Sequence, residues 1–264
     1  MRNLLRRSFS GIIYVLIFIS SILFSKESYL FLIAIFGFLS IWEFSKIIKF
    51  KGYISYLLFA LILFLCYQRQ DSFAVVGILI ITIISSLFLI KSLITKKEIS
   101  FSDDRNKLGL MLRYLIFSMT FLALLPFYKG SYNPELIIGV LILIWVNDSF
   151  ALLVGKNFGK RKLFVSVSPR KTQEGFIGGL VFSLLAAYFI SKYYTILSTG
   201  NWMIVSVIVS VIGTLGDLVE SKYKRFANVK DSGSLMPGHG GILDRLDSLL
   251  FASPFVYLFI NYII

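Results

Sequence analysis

An all-α, polytopic integral membrane protein with about nine transmembrane helices is the fold this sequence predicts, on three observations. Of 264 residues, 57% are hydrophobic and 16% charged, with mean hydropathy +0.81; ordinary soluble domains carry about 25% charged residues. The charges stand in short blocks between long apolar runs instead of being spread over a surface. The runs themselves suit helices, since a hydrocarbon core roughly 30 Å thick needs about 20 apolar residues. Barrel strands would alternate over about ten residues, and a helix satisfies its own backbone in lipid.

Nine runs follow in order, at 9–25, 28–48, 52–68, 73–95, 108–128, 135–155, 174–192, 201–220 and 244–263. The first comes after Arg2, Arg6 and Arg7 and resembles a secretory leader, but its length and the lack of a small-residue cleavage site make it an anchor helix. The second encloses Glu43, which has no evident role. The third encloses Cys66, the single cysteine, so no intrachain disulfide can form and the thiol reads as a small buried or lipid-facing group. The fourth is apolar up to Lys91, and the fifth contains Arg113. The sixth encloses Asp148, the seventh opens on Glu174, the eighth ends with Asp217 and Glu220, and the ninth opens with Asp244 and Asp247. Tyr132 and Trp202 sit near run ends, as an interfacial aromatic belt would.

Loop charge gives an orientation. With the N-terminus inside, 22 of the 27 Lys and Arg residues fall in inside segments and four outside, with Arg113 within a run. That asymmetry predicts an odd number of crossings, N-terminus cytoplasmic and C-terminus outside. The chain also divides by chemistry. Residues 1–134 read as scaffold and lipid-contact helices, and 135–264 as the catalytic region.

Carboxylates inside membrane helices are costly and are functional suspects by default. Asp148, Asp217, Glu220, Asp244 and Asp247 all approach the predicted cytoplasmic side. On a helix, Asp217, Glu220, Ser221 and Lys224 share one face, as do Asp244 and Asp247. Around them lie two polar blocks. One runs from Asp148 through Gly155, Lys156, Gly159 and Lys160 to Lys171, Glu174 and Gly175; positive-inside topology alone would also explain its basic residues. The other runs from Gly216 to Asp247 and includes Lys222, Arg225, Lys230, His239, Gly240, Gly241 and Arg245. Acids interleaved with cations suit a metal–polyphosphate complex, with carboxylates on a hard divalent ion and Lys or Arg on phosphate oxygens. The glycines would let backbone amides approach the anion, and helix starts at Glu174 and Asp244 would add their positive ends. Residue types alone reach an anion-binding, metal-dependent site and no substrate.

The second block resembles the signature of the phosphatidate cytidylyltransferases, or CDP-diacylglycerol synthases. Ser221, Lys224, Arg225, Lys230, Asp231, Pro237, His239, Gly240, Gly241, Asp244, Arg245 and Asp247 match, twelve specified residues within 27 positions. Asp148, Gly155, Gly159, Lys160 and the run Ser168, Pro169, Lys171, Thr172, Glu174, Gly175 resemble the family's upstream stretch. Tyr223, Met236, Gln173 and Leu152 depart from it, bearing on local packing or lipid preference rather than on the reaction.

The resemblance implies transfer of a cytidylyl group from CTP to phosphatidic acid, with release of pyrophosphate. It implies Asp217 and Asp244 as catalytic metal ligands, with Asp247 and Asp148 as additional or supporting groups. Lys224, Arg225, Lys222 and Lys230 are implied phosphate contacts, with Ser221 a lesser one; Lys171, Arg245, Gly240 and Gly241 complete the substrate site. Asp231 would orient a neighbouring cation, and His239 either meets the ligand or fixes its own loop. Mg2+ is the expected cofactor, with K+ as a candidate second cation. The expected partners are CTP, phosphatidic acid and membrane lipids, not nucleic acid, with a homodimer as the assembly to test for. The expected place is a bacterial inner (plasma) membrane with the active site facing the cytoplasm. Two other readings stand beside this one. A CTP-dependent polyprenol or lipid kinase would leave the signature unexplained, and an anionic-solute transporter would call for an internal symmetry that is not visible.

Overall fold

The computed structural model describes residues 2–70, 72–95, 103–238 and 240–264. The chain is helical: α1 (Arg2–Phe24), α2 (Lys26–Ile47), α3 (Ile54–Gln68), α4 (Phe73–Ile94), α5 (Asp104–Leu110), α6 (Phe117–Leu124), α7 (Pro134–Phe158), α8 (Gln173–Tyr193), α9 (Thr199–Phe226) and α10 (Leu243–Leu258). A π-helical stretch, Met111–Ile116, joins α5 to α6, and another, Phe259–Ile263, continues α10. Two antiparallel hairpins complete the fold, β1 (Phe127–Tyr128) with β2 (Ser131–Tyr132) and β3 (Lys162–Phe164) with β4 (Ser168–Thr172).

Helix falls on each apolar run of the sequence. Seven stretches are long and apolar enough to cross a membrane, whereas the apolar part of α1, Phe9–Phe24, and the 15-residue α3 are shorter. Starts are set by side-chain caps: Ser72, Thr172 and Ser198 each accept a first-turn N–H, and Ser25 forms a reciprocal capping box with Ser28. Such caps satisfy amides that the helix itself leaves without acceptors. Large apolar side chains cover the outside, with Leu57, Phe88 and Phe189 each more than 60% exposed. A surface this apolar is stable against hydrocarbon and would drive association in water.

Small residues set the helix contacts that build the interior. A Cβ at Gly175 would lie 2.6 Å from the carbonyl oxygen of Ala151, so α8 can meet α7 this closely only without a side chain. Gly216 does the same for α9 against Phe251 and Asp247 of α10. Close backbone approach through small residues is how helices associate where apolar burial gives no driving force. Between α8 and α9, Ser206 donates to Ser183 at 2.9 Å in the buried interior. Trp202 is fully buried, packed over Gly139, and donates from Nε1 to the Tyr194 carbonyl at 3.1 Å. That corrects the belt reading for Trp202: the indole fills the gap that Gly139 leaves. Cys66 is buried, as a small apolar group would be.

Candidate active site

The C-terminal half of α7, the β3–β4 hairpin, the start of α8, the C-terminal half of α9 and the start of α10 enclose a cavity of about 740 Å3. Helical spacing decides which side chains enter it. Thr214, Asp217 and Lys224 share the α9 face that lines it, and Asp244, Arg245, Asp247 and Ser248 enter from the first turns of α10. Asp148 enters from α7, and Lys162, Arg170 and Lys171 come from the hairpin. A second cavity of about 520 Å3, beside the C-terminal end of α2, is lined by Lys46, Lys49, Lys51 and aromatic rings but no acid.

Within the larger cavity, acids and lysines are cross-paired. Lys171 bonds Asp217 at 2.5 Å, and Lys224 Nζ bridges Asp244 Oδ1 at 2.6 Å and Glu220 Oε2 at 3.1 Å. Ser221 donates to Asp217 Oδ1 at 3.2 Å, and Asn147 to Asp148 Oδ1 at 3.3 Å. Burial works against the charge of Lys171, but Asp217 and Asp148 outweigh it and hold the ammonium above its ordinary value of 10.5. Lys171 therefore stays cationic through the neutral range.

The glycine-rich loop before α10 has a different function from the one its composition suggests. Gly241 N–H donates to Asp244 Oδ2 at 2.7 Å, while Ser232 donates to the same oxygen from its N–H at 2.8 Å and its hydroxyl at 3.0 Å. The amides of Ile242 and Leu243 donate to Glu43 at 3.0 and 2.8 Å. These amides serve protein carboxylates and so are not an open anion cradle. At α8, likewise, Glu174 accepts the N–H groups of Lys160 and Arg161 and so secures the turn into the hairpin. Gly155, Gly159 and Gly175 crowd Thr172 or the facing backbone, so they are packing positions. Gly240, at φ +92, and Gly238, at φ +77, take the left-handed backbone that the turn needs.

Of the residues expected at the site, Asp148, Lys171, Asp217, Lys224, Asp244, Arg245 and Asp247 line this one cavity, with Asp231 at its edge. Ser221 backs Asp217, and Gly240 and Gly241 shape the loop that holds Asp244. Arg225 and Lys222 are directed elsewhere: Arg225 donates to the Val229 carbonyl at 3.0 Å, and Lys222 Nζ bonds the Ser92 carbonyl of α4. At about 100° per residue they stand about 80° and 140° round α9 from Asp217, whereas Lys224 stands about 20° away. Lys230 is exposed outside the cavity. His239 lies outside the described residues. The sequence reading left Glu43 without a role, yet it is fully buried and bonded to the loop.

Among the described residues no three acidic, histidine or cysteine side chains converge as a ready-made metal cage. Mg2+ rarely uses one: it binds through one or two carboxylates together with substrate phosphates and water. The donor set fits that mode. Glu220 Oε1 is buried without a hydrogen-bond partner among the described residues, an orphaned acceptor beside Lys224 and Asp244 that a cation held nearby would help to compensate.

Comparisons with known proteins agree on one family. The model of the cytidylyltransferase family matches residues 5–263. The phosphatidate cytidylyltransferase of Bacillus subtilis (strain 168) is 34% identical over 272 aligned positions, 97% of either chain. Those of Staphylococcus haemolyticus (strain JCSC1435) and Staphylococcus aureus (strain COL) are 37% and 38% identical over 175 positions, 64% of either chain.

Proposed function

The chain belongs to the cytidylyltransferase family, and from that premise we propose that it is a phosphatidate cytidylyltransferase. It joins CTP and phosphatidic acid into CDP-diacylglycerol and pyrophosphate. The observation that carries this reading is the cross-paired cavity, in which Lys171 with Asp217 and Lys224 with Asp244 hold opposite charges ready for exchange.

The attacking phosphate monoester has a second pKa of about 6, so it arrives mostly ionised and needs no strong general base. The difficulty is to hold two anions in line and to neutralise charge on the α-phosphate and the departing pyrophosphate. Asp217 and Asp244 would hold Mg2+, with Asp247 and Asp148 beside them; the ion, when bound, neutralises phosphate charge. K+ is proposed as a second cation near the same acids. With a cation held by the aspartates, Lys171 would be free to meet phosphate oxygens, and Lys224 could turn from Asp244 toward them while keeping its contact with Glu220. Lys156, Lys162 and Arg170 line the same cavity and add positive potential along it.

We place the protein in a bacterial inner membrane with this cavity at the cytoplasmic face, N-terminus inside and nine crossings. The supports are the 22-to-4 distribution of basic residues and the fact that CTP is cytoplasmic.

Detergent-purified protein incubated with phosphatidic acid, α-labelled CTP and Mg2+ should yield lipid-extractable label with equimolar pyrophosphate. Transfer of label from γ-labelled CTP to a lipid alcohol would instead establish a kinase and overturn the reading.

A further inference from the structure

We propose that Glu43 is a positioning residue for this site: from α2, in the half of the chain otherwise read as scaffold, its carboxylate sets the loop that carries Asp244. The proposal rests on the functional reading above and extends it to a residue outside the signature.

Glu43 is 0% exposed. Its Oε1 accepts the Ile242 N–H at 3.0 Å, and Oε2 accepts the Leu243 N–H at 2.8 Å and the Ser232 hydroxyl at 3.0 Å. No lysine or arginine pairs with it among the described residues. A buried carboxylate costs several kcal/mol unless compensated, and here the compensation comes wholly from one loop and the N-terminal amides of α10, where the helix dipole favours an anion. Apolar side chains could join α2 to the neighbouring helices without that cost, as Phe44 does in its contact with Tyr223 of α9. What a carboxylate adds is a fixed position for three donors at once.

Those donors adjoin the proposed metal ligand. Ser232 touches both acids, with its hydroxyl 3.0 Å from Glu43 Oε2 and 3.0 Å from Asp244 Oδ2. One hydroxyl has one proton to donate, so its orientation ties the two carboxylates together. The loop is also shaped around Glu43: a Cβ at Gly233 or Gly241 would run into its carboxylate. Fixing Ile242, Leu243 and Ser232 fixes the direction of Asp244, which then presents Oδ1 to Lys224 and the cavity.

The test compares wild type, Glu43→Gln, Ser232→Ala and the packing control Phe44→Leu. Gln keeps the volume of Glu43 but presents an NH2 group to backbone donors. Glu43→Gln should lower kcat by about 10- to 100-fold, as loss of groups supporting metal ligands does. It should raise the Mg2+ concentration for half-activation severalfold and hold Mn2+ in the presence of CTP, read by electron paramagnetic resonance, correspondingly more weakly. Amide exchange at Ile242 and Leu243 should quicken, with melting temperature near wild type. Phe44→Leu should lower melting temperature and leave the metal dependence unchanged. Metal dependence and Mn2+ binding equal to wild type in Glu43→Gln would overturn the proposal. If that variant does not fold, Ser232→Ala decides: a raised Mg2+ requirement supports the proposal and an unchanged one overturns it. A wild type that makes no CDP-diacylglycerol refutes the functional reading alone, since Mn2+ binding and amide exchange still report on Glu43.

Discussion

Lys224 holds two buried carboxylates of different helices with one ammonium, and this gives it a structural role beside the catalytic one proposed for it. Lys224→Met would leave Glu220 and Asp244 uncompensated, at about 3–5 kcal/mol for a broken buried pair, so a lower melting temperature should accompany lost turnover. Asp217→Asn and Asp244→Asn keep the volume and remove charge at the proposed metal and phosphate site; each should lower kcat by at least about a hundredfold in the labelled-CTP assay. Lys222→Met, on the far face of α9, should stay within about threefold of wild type, the scale of a substitution outside the site. For Lys171 the folded-state value is raised, so its contribution is complete below the unfolded lysine value and is lost only as pH rises through the raised one. The pH–rate profile of wild type should therefore show no alkaline limb from this group below about pH 10.

Asp217 and Asp244 stood out in the sequence because charge at the end of an apolar run has few uses, whereas Lys171 stood out only through its match to the family's upstream stretch. Lys222 and Arg225, which bond carbonyls outside the cavity, were grouped with Lys224 by adjacency in the motif, although the positions that share a face with Asp217 could be counted from the helical period. Glu43 could not be placed that way: its partners Ile242 and Leu243 are 199 and 200 residues distant in the chain, and no local pattern records such a pairing.

At the scale of elements, α7, α8, α9 and α10 come close enough to share a cavity because glycines remove side chains at their contacts. The sequence reading gave these glycines to the ligand; the structure gives most of them to neighbouring helices, and composition cannot separate the two uses. Gly216 faces Phe251 and Asp247 of α10, with no room for a Cβ, whereas a Cβ at Gly200 meets nothing within 4 Å. Gly216→Val should cost about 1–3 kcal/mol by overpacking and displace Asp217, and Gly200→Ala should be neutral or slightly stabilising. Thermal melting of both variants in detergent checks the pair. The helices were legible because each needs only a long apolar run; the two short hairpins were not, since β3 and β4 lie in a polar block read for its charges and ligand contacts and show no apolar alternation that marks a strand.

For the whole molecule, an apolar exterior, a polar cavity at one end and basic loops combine into a membrane enzyme working on a charged lipid and a soluble nucleotide. The orientation has its own check. In a Cys66→Ser background, a membrane-impermeant thiol reagent applied to intact cells should label Lys129→Cys and spare Lys160→Cys until the membrane is opened. The central claim is that Asp217 and Asp244 gather a divalent cation and a nucleotide in one cavity. Its most direct measurement is electron paramagnetic resonance of Mn2+ with CTP and purified protein. Wild type should hold Mn2+ far more tightly when CTP is present, and Asp217→Asn and Asp244→Asn should each lose that CTP-dependent signal; retention of it in both variants would contradict the account.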